Sequence, residues 1–495
     1  MCKVLHFQKE KGSLFEQLCE AELFRETAYG KQGLCGGRGA CGKCRVRFLT
    51  GAPLPSSADR KHFSAEELRL GYRLACTAKP MSDCEIEICF EKDALWITNG
   101  TERQEIVTWS EGLQPEKKTL GQVQSLFWAV DIGTTTVVMQ LIDKITGDII
   151  KTYPFLNPQR IYGTDVMSRI KYASEGGAEQ LRVRLLEELE KGFGRGDMPE
   201  QEKLLKQTEA VIICGNTAMG HLLMGYPIEG LGKAPFTSFS LARTEFELFG
   251  HKAVLMPGIS SFVGADIVSG IYACGMVERE ELSLFIDLGT NGEIVLGNKE
   301  ALWCTATAAG SAFEGEISAR AMGTDIVALA FEMLEMGIMD ETGLMAEPWF
   351  AKGWQSQDGK VIITQQDIRA LQMAKAAICA GICVLLEKAD AWEKVSCVYL
   401  AGGFGYYLDA RKAVGIGLIP KRLQGKCKAV GNTSLAGAIK YGMETGSAQK
   451  VCDGPELLAD EKLKNIIRIS KPLNLALQEE FEERYIQAMT FREIT

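Results

Sequence analysis

WAVDIGTTTVVMQLID (residues 128–143) and LFIDLGTNGEIVLGN (284–298) follow one pattern: an apolar strand, the tetrad Asp-x-Gly-Thr, then a second apolar strand. Their aspartates, Asp131 and Asp287, stand 156 residues apart. A strand–turn–strand unit duplicated at that separation predicts two similar lobes facing each other. Helical segments follow each copy, DVMSRIKYA and LRVRLLEELEKGF after the first and DIVALAFEMLEMG after the second. A third glycine signature, VYLAGGFG (398–405), comes after a long helix that Thr364 caps and Asp367 supports from its first turn.

An Asp-x-Gly-Thr turn sets backbone N–H groups and threonine hydroxyls at a hairpin tip, where they can cradle phosphate oxygens. The aspartate at the end of the preceding strand can hold Mg2+, mostly through water. Two such tips from opposed lobes clamp a triphosphate. The loop Ala401-Gly402-Gly403-Phe404-Gly405 lets the backbone come close to a flat base and its ribose. A lone tetrad is as often a plain hairpin, but the pair plus the later Ala-Gly-Gly-Phe-Gly points to nucleotide binding.

The front of the chain carries different chemistry. CGGRGACGKC (35–44) spaces Cys35, Cys41 and Cys44 as C-x5-C-x2-C, and Cys76 follows in YRLACTAKP. Cysteine-only ligation at this spacing fits a 2Fe–2S cluster. Gly36, Gly37, Gly39 and Gly42 let the loop wrap it. A zinc site is the alternative, but zinc favours paired C-x2-C knuckles and the chain has one such pair here. Cys84 and Cys89 rival Cys76 as fourth ligand; Cys76 is preferred because it precedes the last strand of the unit. Around these cysteines KVLHF reads as a strand and Ser13 caps a helix through Leu14, Leu18 and Leu23. CRVRFLT alternates Val46 and Phe48, Ser64–Glu67 is a capping box, and CEIEICFE alternates Ile86, Ile88 and Phe90. The pattern predicts an α+β unit of β-grasp ferredoxin type over 1–91, a linker over 92–125, and a two-lobed α/β domain over 126–495, with lobes of about 126–280 and 281–495. About thirty flexible linker residues would span roughly 30 Å, enough for the cluster domain to swing.

Composition narrows the field. The net charge of −9 argues against a nucleic-acid binder. Residues 1–90 hold 14 Lys+Arg against 11 Asp+Glu, so the surplus of +3 sits at the cluster end. Arg38, Lys43, Arg45 and Arg47 read either as a field that raises the cluster's potential or as a solvated loop. The sixteen cysteines are scattered in a large chain whose opening, MCKVLHFQKEKG, is too polar for a signal peptide. The expectation is the reducing cytoplasm and no membrane span. MAKAAICAGICVLL (373–386) carries Lys375, is too short to span, and reads as a buried helix. Cys379 and Cys383 on it read as buried thiols. His6, His62, His221 and His251 show no ligand spacing.

DIGTTT (131–136), DLGTNGE (287–293) and LAGGFG (400–405) resemble the first phosphate, second phosphate and adenosine motifs of the ASKHA superfamily, which includes acetate and sugar kinases, heat-shock chaperones and actin. With the ferredoxin half in front, the chain resembles the reductive activators of corrinoid proteins. NPQRIYGTDVMSRI (157–170), ICGNTAMGHLLMG (213–225), ATAAGSAFEGEISARAMG (306–323) and GNTSLAGA (431–438) look typical of them. Some members carry an extra middle domain before the ASKHA unit, whereas here the linker runs almost directly into Asp131.

The resemblance implies a reaction and its residues. A corrinoid protein of a methyltransferase system is returned from Co(II) to Co(I) by one electron, with ATP driving the step. Plant-type clusters sit near −400 mV, and an uphill gap of about 100–200 mV costs about 2.3–4.6 kcal/mol for one electron. Cys35, Cys41, Cys44 and Cys76 would carry the electron. Asp131 and Asp287 would hold Mg-ATP, with Gly133, Thr134, Thr135, Thr136, Gly289, Thr290 and Asn291 around the phosphates and Gly402 and Gly403 bracketing the adenosine. Asp266, 21 residues before Asp287, would orient the attacking water; otherwise it is a helix N-terminal aspartate favoured by the dipole. A low-potential ferredoxin or flavodoxin would supply the electron, and a homodimer is implied. Two other readings stay open: a small-molecule kinase with a redox-sensing ferredoxin domain, and an ATP-driven donor to another low-potential enzyme.

Overall fold

A computed structural model describes residues 2–9, 13–20, 39, 42, 44–89, 125–194, 204, 206–289, 291–310, 323–356, 361–445 and 455–494. The expected linker (92–125) lies outside these residues except for Ser125, as do Leu23 and Phe90.

The first unit is a four-stranded sheet of order β1-β4-β2-β3, with β1 Cys2–Phe7, β2 Arg45–Phe48, β3 Tyr72–Leu74 and β4 Cys84–Cys89. Alternation does what the sequence suggests: Val46, Phe48, Ile86 and Ile88 face inward. The Leu14–Glu20 helix buries Leu14 and Leu18 in the same core. The Ser64–Glu67 capping box is formed and opens the short Ala65–Arg69 helix.

Two six-stranded sheets follow. One has the order β7-β6-β5-β8-β10-β9, with β5 Leu126–Ile132, β6 Thr136–Asp143, β7 Ile149–Leu156, β8 Thr208–Gly215, β9 Thr244–Leu248 and β10 His251–Leu255. The other has the order β17-β16-β11-β12-β13-β18, with β11 Leu282–Leu288, β12 Gly292–Gly297, β13 Leu302–Thr307, β16 Val395–Ala401, β17 Cys427–Gly431 and β18 Ser470–Pro472. A small ribbon of β14 Trp354–Gln355 and β15 Ile362–Ile363 lies apart from both. In each large sheet three antiparallel strands, β7-β6-β5 or β13-β12-β11, continue into two parallel ones, β8 and β10 or β16 and β17. The duplication legible in the two tetrads is therefore a duplication of topology.

Strands buried on both faces need apolar cover on both sides, and both sheets have it. The outer face of the first packs Trp128, Val130 and Met139 against Leu181, Leu185 and Leu189 of the Ala178–Phe193 helix. The outer face of the second packs Leu284, Ile286 and Leu400 on the Gln365–Lys388 helix. Between the sheets one shared core joins Phe127, Ala129 and Ile212 of the first to Phe285, Val295 and Tyr399 of the second. The Ala265–Cys274, Thr433–Glu444 and Pro455–Ile469 helices fill that layer with Ile271, Leu435 and Leu463. Gly437 is needed there, because a Cβ would sit 2.1 Å from the Ser269 carbonyl oxygen of the crossing helix.

The Gln365–Lys388 helix starts at the expected Thr364–Asp367 capping box. It is long and apolar enough by length and composition to cross a membrane, yet most of it is buried inside this lobe. Cys379 and Cys383 are buried within it. Lys375 is fully buried, its Nζ donating to the carbonyls of Ala488 (2.6 Å) and Thr490 (2.7 Å).

Candidate functional site

Each hairpin tip is closed by the N–H of its tetrad glycine, over three residues in the first and two in the second. At β5–β6 the Gly133 N–H donates to the Thr136 carbonyl (3.0 Å); at β11–β12 the Gly289 N–H donates to the Asn291 carbonyl (3.0 Å). The first tip is braced by stretches the sequence marked without a role. Asn157 donates from Nδ2 to the Gly133 carbonyl (2.8 Å), and its N–H donates to the Thr135 carbonyl (2.9 Å). Fully buried Arg169 donates to the Thr134 carbonyl, and Asn216 donates from Nδ2 to Thr134 Oγ1 (2.9 Å). Thr134 is buried and Thr136 exposed, so the tip presents its later residues to solvent. Thr290 lies outside the described residues.

Asp131 ends β5. Its Oδ2 accepts from Asn432 Nδ2 (2.8 Å) and its Oδ1 from Ser434 Oγ (2.9 Å). Both donors belong to GNTSLAGA, at the start of the Thr433–Glu444 helix. Asp287 ends β11. Asp266 stands in the first turn of the Ala265–Cys274 helix, the place a dipole favours, and its carboxyl feels the charge of the other two. Burial pushes Asp287 up to about 7, and the charge of Asp131 adds to it. Burial, then Asp287, then Asp131 push Asp266 up to about 7 as well. Burial raises Asp131 against the pull of its Asn432 and Ser434 donors.

Sequence reasoning left out a fourth carboxyl. Glu293, opposite Asp287 across the β11–β12 ladder, is held well above the usual range by burial, Asp266 and Asp287. Its signal was the last letter of DLGTNGE. Three aspartates and a glutamate make an all-oxygen donor set, the chemistry a hard divalent cation takes. Carboxyls held this far up lose their protons to solvent when a divalent cation binds, because its charge favours the ionised form. The donor set therefore fits Mg2+.

The third glycine signature meets the second tip directly. Asp287 pairs with Ala401 across the β11–β16 ladder. Gly402, at φ +82°, opens the Gly402–Tyr407 helix, and a Cβ there would stand 2.5 Å from Asp287 Oδ1. Gly403 faces open space.

In the first unit Cys44 Sγ lies 3.2 Å from Cys76 Sγ, Cys44 buried and Cys76 half-buried. Two thiols this close can bind one iron, the arrangement a 2Fe–2S centre needs at each of its two metals. Cys84 is buried at the start of β4, where it pairs with Phe7. Cys35 and Cys41 lie outside the described residues. The expected basic field is weaker than its charge suggests. Arg45 is paired with Glu67 (3.0 Å) and lies over the Phe63 ring, and Arg47 is paired with Glu87 (3.4 Å). Arg38 and Lys43 lie outside the described residues.

His221 is a buried helix residue, as its setting in TAMGHLLMG suggests. Its Nδ1 meets the Thr217 carbonyl (2.8 Å) and its Nε2 accepts from the Phe239 N–H (3.1 Å), so the ring is a neutral strut, and burial holds its pKa low.

Sequence models of three kinds match the chain. A 2Fe-2S iron-sulfur cluster binding domain matches residues 8–81, the RACo middle region matches 126–279, and the C-terminal domain of RACo, the ASKHA domain, matches 281–322 and 318–495. The middle region thus falls on the first large sheet and its helices, so the chain does not lack one, contrary to the sequence expectation. A curated relative, the corrinoid activation enzyme RamQ of Eubacterium limosum, is 29% identical over 437 residues, covering 73% of this chain and 70% of the relative. The [Co(II) methylated amine-specific corrinoid protein] reductase of Methanosarcina barkeri is 23% identical over 434 residues, covering 73% and 76%. A solved structure, a reductive activator for corrinoid, iron-sulfur protein, superposes with a TM-score of 0.64 at 27% identity, covering 98% of this chain and 96% of that one. A cluster-binding domain in front, both RACo regions behind it and a matching fold from end to end place this chain in the family of reductive activators of corrinoid proteins.

Proposed function

We propose that this chain uses ATP to return a corrinoid protein from Co(II) to Co(I), one electron at a time. The observation that carries the reading is Asp131, a β5 residue of the first sheet held by Asn432 and Ser434, which follow β17 of the second. The occupancy of that site by nucleotide is thereby tied to how the two sheets sit together.

Asp131 and Asp287 would hold Mg2+, and Gly133, Thr134, Thr135, Thr136, Gly289, Thr290 and Asn291 would surround the phosphates. Gly402 and Gly403 flank the adenosine. Asp266, whose proton is lost near neutral pH, orients the attacking water; Glu293 opposite Asp287 adds to the negative field. At the other end Cys35, Cys41, Cys44 and Cys76 form the cluster-binding set, with Cys44 and Cys76 side by side. A 2Fe–2S group there supplies one-electron chemistry at low potential. A ferredoxin or flavodoxin is the proposed electron source, and a homodimer the proposed working state.

The test mixes the reconstituted protein with a Co(II) corrinoid protein and reductant, and follows Co(I) absorbance with and without Mg-ATP. A rate that rises only with Mg-ATP is expected. Equal rates would sink the coupling.

A further inference from the structure

The chain contains the tripeptide Gly-Asn-Thr at 215–217 and again at 431–433. Each copy ends a parallel strand, β8 or β17, and opens a helix, Thr217–Met224 or Thr433–Glu444. In both, the asparagine caps the helix through Oδ1, which accepts from the Met219 N–H (3.0 Å) in one and the Leu435 N–H (2.8 Å) in the other. An asparagine side chain has one acceptor oxygen and one donor nitrogen. Using the oxygen as a cap fixes where the nitrogen goes, and in both copies it goes to the first phosphate hairpin. Asn216 Nδ2 donates to Thr134 Oγ1 (2.9 Å) and Asn432 Nδ2 to Asp131 Oδ2 (2.8 Å).

We propose that Asn216 and Asn432 are positioning residues of the nucleotide site, setting the proton pattern of the β5–β6 tip from two sides. The inference rests on the nucleotide reading above and goes beyond it. By donating to Thr134 Oγ1, Asn216 leaves the threonine's own proton for another acceptor, and a phosphate oxygen is such an acceptor. By donating to Asp131 Oδ2 while Ser434 Oγ donates to Oδ1 (2.9 Å), Asn432 fixes the plane of the carboxylate and keeps its remaining lone pairs for the waters of a magnesium ion. Serine caps a helix about as well as asparagine but lacks the second arm. Capping and positioning are therefore separable by substitution.

The experiment uses full-length, cluster-reconstituted protein as wild type, Asn432→Ser, Asn432→Ala and Asn216→Ser. It reads melting temperature, kcat and KM for Mg-ATP, and the Mg2+ concentration for half-maximal turnover. Asn432→Ser keeps the cap and should melt above Asn432→Ala, below wild type by the bond lost to Asp131. Its kcat/KM should fall about 10- to 150-fold, the range for losing a hydrogen bond to a charged group, and its Mg2+ requirement should rise. Asn216→Ser should likewise keep its cap, melt only slightly below wild type, and raise KM about 3- to 10-fold, as for a neutral bond. Asn432→Ala should lose stability and turnover together. Wild-type turnover and Mg2+ dependence in Asn432→Ser would overturn the proposal. So would losses across the three variants that merely track melting temperature. Failure of the wild type itself to bind Mg-ATP would instead refute the nucleotide reading, and this inference with it.

Discussion

Gly402→Ala is the sharpest single change the cleft offers. Gly402 sits at φ +82°, a region that costs a residue with a Cβ roughly 1–2 kcal/mol. The added methyl would stand 2.5 Å from Asp287 Oδ1 and 2.9 Å from the Leu288 carbonyl oxygen, where ordinary contact begins at 3.4 Å. The Leu288 oxygen is backbone within β11 and yields little, so the Asp287 carboxylate must turn away. A carboxylate turned from its ion forfeits about 1.5–3 kcal/mol, which is about 10- to 150-fold in Mg-ATP affinity. Gly403→Ala is the control for the melt alone, because its Cβ meets no protein atom within 4 Å, while its place beside the proposed adenosine excludes it as a control for affinity. Titration calorimetry with Mg-ATP, run beside thermal melts of the nucleotide-free proteins, reads both effects. Gly402→Ala should melt lower and bind more weakly, and Gly403→Ala should melt as wild type. Wild-type Mg-ATP affinity in Gly402→Ala would refute the argument that this glycine exists to seat the Asp287 carboxylate.

Three further outcomes are expected. Asp287 and Asp266 have folded pKa values raised to about 7 from 3.8. Their contribution to the stability of the ion-free protein is full below about pH 4 and is lost as pH rises through 7. Melting temperature without Mg2+ should therefore decline between pH 5 and 8 from this source, Mg-ATP affinity should climb over the same window, and a flat affinity profile would contradict it. Cys76→Ser should abolish iron and acid-labile sulfide uptake, whereas Cys84→Ser should leave both at wild-type content; the reverse would make Cys84 the ligand. Lys375→Ala strands the buried carbonyl of Ala488, at about 1–3 kcal/mol, and takes a partner from the half-buried carbonyl of Thr490. A fall in melting temperature with unchanged iron content is expected, and an unchanged melt would show that those carbonyls find other partners.

Local signals were legible wherever the chemistry is local. The capping boxes at Ser64 and Thr364, the alternation of Ile86 and Ile88, and both Asp-x-Gly-Thr hairpins form as their spacing suggests, because turn residues and periodicity act over a few positions. The duplicated topology was legible for the same reason, since each copy carries its own hairpin. What the sequence hid was reach. Asn432 and Ser434 touch Asp131 across 301 and 303 residues, and no periodic pattern encodes such a contact. The repeated Gly-Asn-Thr was the trace available, and it lay inside stretches read only as typical of the family. Charge was misleading in a different way. Arg45 and Arg47 counted as a basic field in the composition, but Glu67 and Glu87 lie within ion-pair distance and largely cancel them. Lys375 looked like an argument against a membrane span; folded, it serves as a buried donor to two carbonyls.

The long reach to Asp131 bears on how the protein is made. Asp131 leaves the ribosome some 301 residues before Asn432, a delay of about 15–60 s at cellular translation speeds. During that time the first sheet can assemble, but the carboxylate at its rim lacks both of its later donors. A nascent chain ending anywhere in that interval lacks the two contacts that join the Asp131 rim to the helix after β17.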